Sequence, residues 1–87
     1  MKISVWDTYV QKKDGQTMHF DILVPSDITN DALIYEMGKQ YLTTKGQEGQ
    51  ALSSKECQYC HQEIASEEMV DAIDKQGFYI IEMEGCN

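Results

Sequence analysis

Apolar and polar positions alternate through two runs near the start of the chain, with a turn-like segment between them. Ile3 to Val10 and Thr17 to Val24 are dominated by β-branched and aromatic side chains, and Lys12-Lys13-Asp14-Gly15 separates them. Asp-Gly flanked by two such runs predicts a β-hairpin. A turn of two or four residues puts Ile3, Val5, Asp7 and Tyr9 on one face with Met18, Phe20, Ile22 and Val24, making that face the core side. Asp7 is then one charged residue in an apolar row, where an ionised carboxylate needs hydrogen-bond partners. A three-residue turn slips the pairing by one and sets Asp7 opposite Asp21, so the first register is the expected one, because like charges facing each other are unfavourable. It assigns His19 and Asp21 to the opposite, solvated face beside Thr8 and Val10, and places Trp6 across from Leu23 there. An aromatic ring and a leucine on an outer face call for a cover, either the remaining chain or a second copy in a homodimer.

Beyond Pro25 and Ser26 the period changes from two to that of a helix. Thr29 or Asn30 caps a helix running to about Thr43, with Leu33, Ile34, Met37, Tyr41 and Leu42 at helical spacing, and Lys45-Gly46 is its stop. The polar stretch from Gln47 to Ser54 has only Ala51 and Leu52 to offer a brief strand. Ser66 caps a second helix to Gln76 with the stripe Met69, Val70 and Ile73, Gly77 closes it, and Phe78 to Met83 is the last strand. The expected fold is therefore α+β, one domain over residues 1–87. It has two layers, with two helices on a small mixed sheet in the order ββαβαβ. A strand-helix-strand connection of this length normally makes its two strands parallel. Cys57 and Cys60, after the short strand, and Cys86, after the last one, are then expected to meet at one rim of the sheet.

Charge sharpens the picture by its location. Seven acidic residues and six lysines precede Glu56, whereas eight acids and a single lysine, Lys75, follow from there on. All seven basic residues are lysines; without arginine the chain lacks the planar fork that best recognises phosphate and guanine edges. Nucleic acid and anionic membrane surfaces are accordingly excluded as expected partners, and a basic protein partner is the kind an acidic surface suits. With no apolar run of spanning length and no export-like start, the expected location is the cytoplasm. Three cysteines there point to reduced thiols or a metal site in preference to a disulfide framework.

The segments TYV at Thr8 to Val10, MHFD at Met18 to Asp21, ECQYCH at Glu56 to His61 and MEGC at Met83 to Cys86 occur in an order that resembles a bacterial domain-of-unknown-function family, numbered two thousand and twenty-four. The similarity extends over essentially the whole chain. It implies a compact α/β fold and carries no activity, substrate or cofactor with it.

Two constellations hold the candidate chemistry. Cys57-x-x-Cys60 supplies two thiolates from one tight turn, half of a tetrahedral zinc site, with Cys86 as third ligand and His61 as a strained fourth. The same pair is the alternative redox dithiol, although Glu56 and Glu63 beside it oppose thiolate formation. Asp7, His19 and Asp21 are a separate polar group, with the first on one face of the hairpin and the other two on the reverse. No phosphate-binding glycine loop, nucleophile elbow or paired-carboxylate motif assigns a reaction class. The reading is a cytosolic binding module with a cysteine cluster suited to structural zinc, and the alternative is a thiol redox protein or small enzyme working through Cys57 and Cys60.

Overall fold

The computed structural model describes residues 2–57 and 66–86. Its elements follow the expected order: β1 (Ile3–Gln11), β2 (Thr17–Pro25), α1 (Asp31–Thr44), β3 (Leu52–Glu56), α2 (Glu67–Gln76) and β4 (Tyr79–Glu84). One four-stranded sheet is formed in the order β3-β1-β2-β4. The α+β class and the order ββαβαβ hold.

The hairpin takes the register that charge repulsion argued against. Gly15 N donates to Lys12 O at 3.0 Å and Lys12 N to Gln16 O at 2.8 Å, which leaves Lys13-Asp14-Gly15 as a three-residue loop. Gly15 has φ +90, and Asp14 Oδ1 accepts from Gln16 N at 2.9 Å. This is a turn followed by a left-handed glycine, the commonest way to build a three-residue hairpin loop. Asp7 therefore pairs with Asp21, Tyr9 with His19 and Trp6 with Ile22. Because side chains alternate with period two, the one-residue slip moves the whole of β1 to the other face relative to β2.

Packing explains why this register prevails. Trp6, Val10, Met18, Phe20, Ile22 and Val24 now share one face and are buried together with Ile34, Met37 and Leu42 of α1, Phe78 and Cys86. Thr8, also on that face, is fully buried and satisfied: its hydroxyl lies 2.8 Å from the Ser54 hydroxyl. Trp6 is thus a core residue and not part of an outer dimer face. Burying a ring of that size against a helix contributes far more than a like-charge contact at a partly solvated position costs.

Sequence signals set the helices. Asn30 caps α1, its Oδ1 accepting from Ala32 N at 2.9 Å, and Ser66 caps α2 by accepting from Met69 N. Gly77, in the left-handed conformation, ends α2. The two helices lie on opposite faces of the sheet. α2 buries Ile73 against Ile3 and Leu23, with Val5, Met69, Tyr79 and Ile81 packed around them. The architecture is a helix on each side of the sheet, and not both on one layer. Only part of the second face is apolar; its remainder carries Asp7, Tyr9, His19 and Asp21.

The sheet is antiparallel throughout instead of mixed: β3 pairs with β1, and β4 with β2, both antiparallel. Since β1 and β2 are themselves antiparallel, β3 and β4 run in opposite directions on opposite edges. The hairpin occupies the two central positions, so the chain passing through α2 must cross the full width of the sheet before it can pair again. No helix among the described residues is long and apolar enough to cross a membrane.

Candidate functional site

The topology separates the thiols that were expected to meet. Cys57 N donates to Val5 O at 2.8 Å, beside the start of β1, whereas the Cys86 thiol donates to His19 O at 3.4 Å, opposite Tyr9 on β1. Val5 and Tyr9 are four residues apart, about 14 Å along a strand at ~3.4 Å per residue. The two sulfurs therefore sit at diagonal corners of the sheet, beyond shared-ligand range, and the three-thiol centre is not formed. Cys57 is held in a disulfide, while Cys86 is a buried free thiol. The expectation of reduced thiols throughout is corrected on that point. Cys60 and His61 lie outside the described residues.

The same slip that moved Trp6 inward assembles the other polar group. Asp7 and Asp21 are direct cross-strand partners, as are Tyr9 and His19, so the four side chains form a square on the second face, beyond the apolar part covered by α2. His19 Nε2 is 3.7 Å from Asp7 Oδ1 and 3.7 Å from Asp21 Oδ1. One donor atom from each of Asp7, His19 and Asp21 lies within 4.8 Å of the other two. Their side chains are 37%, 21% and 15% exposed respectively, so the group opens to solvent on its Asp7 side.

Two atoms at the centre of this group are buried and lack hydrogen bonds: His19 Nε2 and Asp21 Oδ1. Buried polar atoms are rarely left so, since each forgoes its bonds to water without a replacement. Burial pushes the Asp21 carboxyl up from 3.8 to about 6, assisted by hydrogen bonding to Asp7 and by the Asp7 charge, with His19 pulling the other way. Two carboxyls this close resist simultaneous ionisation. Tyr9 completes the square by stacking on the imidazole, with ring centroids 4.3 Å apart and planes within 8° of parallel.

Chemically, two carboxylates and one imidazole are a mixed hard and borderline donor set. Ligands bound at ~2.0–2.1 Å in a tetrahedron stand about 3.4 Å apart, close to the two 3.7 Å separations from His19, while the two carboxylate oxygens lie within 4.8 Å of each other. A cleft of 540 Å³ at the end of β3 is walled by Trp6, Asp31, Ser54 and Glu56 and reaches Asp7, Lys55 and Cys57; it opens mainly on the α1 side, and neither His19 nor Asp21 lines it. Tyr9 is the member that reading the sequence missed. Its signal was the three-residue loop, which makes D-x-Y on one strand face H-x-D on the other.

No curated protein matches the chain. The solution structure of the protein NE1680 from Nitrosomonas europaea is similar over the full length of both chains, with 41% identity and a TM-score of 0.79. The model of a domain of unknown function, DUF2024, matches residues 1–83. Together with the antiparallel ββαβαβ architecture, these matches establish that the chain belongs to the DUF2024 family.

Proposed function

We propose that this domain is a small cytosolic binding module whose working feature is a divalent-cation site formed by Asp7, His19 and Asp21. The observation that carries the reading is the pair of buried, unpartnered atoms His19 Nε2 and Asp21 Oδ1, 3.7 Å apart. A cation between them and Asp7 Oδ1 supplies the missing partner for both and neutralises two crowded carboxylates. The imidazole favours zinc, iron(II) or manganese over magnesium and calcium, which prefer all-oxygen shells. Three protein ligands leave a coordination position for water or a partner's side chain on the exposed Asp7 side, as in open zinc sites. The zinc first expected at the cysteines is assigned in this reading to the donor set on the hairpin, and the acidic surface suits a basic protein partner.

The test is calorimetric titration of chelator-stripped protein with zinc and manganese, with the double variant Asp7→Asn, Asp21→Asn as control. One ion per chain at micromolar affinity, lost in the double variant, is expected. Equal binding by the variant, or none by the natural chain, rejects the site.

A second reading rests on the disulfide of Cys57: thiol-disulfide exchange through Cys57 and Cys60. Its mark is a reduction potential within the range of redox-active dithiols, roughly −120 to −270 mV, measured against glutathione.

A further inference from the structure

His19 is the one nitrogen donor of the proposed cation site, and its ring is held in an unusual way. A ligand histidine normally donates its second ring N–H to a carboxylate or carbonyl, and that bond fixes the ring's orientation. No hydrogen bond to the His19 ring is formed among the described residues, and its contacts to Asp7 and Asp21 at 3.7 Å are too long to be hydrogen bonds. The torsion that turns an imidazole about its bond to Cβ is broad and two-fold. Something else must keep Nε2 toward the carboxylates.

Tyr9 is placed to do so. It is the direct cross-strand partner of His19, and its ring lies flat against the imidazole at 4.3 Å and 8°. Parallel contact over a whole ring face resists rotation of either ring. The phenol ring's electron-rich face also favours an imidazole that carries positive charge, whether from a proton or from a metal ion. Tyr9 is 49% exposed and belongs to neither apolar cluster, so the core does not account for an aromatic side chain there.

We infer that Tyr9 is a positioning residue of the cation site, holding the His19 ring by stacking so that Nε2 stays between Asp7 and Asp21. The inference rests on the cation reading above and adds the residue that organises its nitrogen ligand. Aromaticity is the property required, and the hydroxyl is dispensable.

The experiment compares the natural chain with Tyr9→Phe and Tyr9→Leu, stripped of metal and titrated with zinc by calorimetry. Nitrogen-15 spectra of the His19 ring are recorded alongside. Phe is expected to bind within about twofold of the natural chain. Leu is expected to bind about tenfold more weakly, the lower end of what loss of an outer-shell partner costs a metal site. Unfolding temperatures in chelator should stay close together, since Tyr9 is outside the core. Equal zinc affinity in the Leu variant overturns the inference while leaving the cation site intact. Absence of zinc binding by the natural chain overturns both. Should Tyr9→Leu not fold, Tyr9→Thr takes its place, as a β-branched residue suited to a strand.

Discussion

Removing the charge of Asp21 should stabilise the metal-free protein, and only above a definite pH. Asp21 titrates at about 6 in the folded chain against 3.8 for an ordinary aspartate. The folded state thus holds this proton more tightly than the unfolded state, and the stability so gained is fully present below pH ~4. As pH rises through 6 it is lost, because folding must then keep an ionised carboxylate in a partly buried place beside Asp7. Moving a titration midpoint by a single pH step is worth ~1.36 kcal/mol, so the penalty above pH 7 is at most about 3 kcal/mol. Solvent on the Asp7 side screens part of it. Asparagine keeps the shape and a hydrogen-bond donor but no charge. Asp21→Asn is therefore expected to match the natural protein near pH 4 and to exceed it by about 1–3 kcal/mol at pH 8. Urea unfolding of both proteins in chelator, from pH 4 to 8, measures the difference directly and cancels every group common to the two. Added zinc should reverse the order, because an ion that binds only the folded natural chain adds about 2.7 kcal/mol at a hundred times its Kd. A difference independent of pH, or a variant less stable at pH 8 in chelator, refutes the argument that burial and Asp7 disfavour the ionised form of this carboxyl.

Two further outcomes test the fold that positions the site. Gly85 has φ +69, and a Cβ there would lie 2.5 Å from Thr17 O, so Gly85→Ala should lower stability by about 2 kcal/mol or more in chemical unfolding; an unchanged midpoint would show that β4 does not close this tightly on β2. Trp6, the single tryptophan, is 4% exposed, so its fluorescence should be blue-shifted and poorly quenched by iodide until the chain unfolds. Efficient quenching in the folded state would restore the hairpin register in which Trp6 faces outward.

Local chemistry made the elements legible. Asn30 and Ser66 cap helices because their side-chain oxygens satisfy free amides of the first turn, and Gly77 ends one because it accepts a left-handed backbone at little cost. These are interactions between residues close in sequence, so the sequence contains them whole. The hairpin shows where such reading stops. Asp14-Gly15 announced a turn, but its length was decided by whether Trp6, Val10 and Phe20 could be buried together under α1, a benefit that exists only once the helix has docked. That single residue of register carried Asp7 across to His19 and Asp21 and so created the polar square. The cysteines show the same limit from the other side, for the strand-helix-strand order promised them a shared rim until the central hairpin put β3 and β4 on opposite edges. Elements are specified by neighbours along the chain, whereas the pairing of strands, and with it the company each side chain keeps, is settled by the burial of the assembled core.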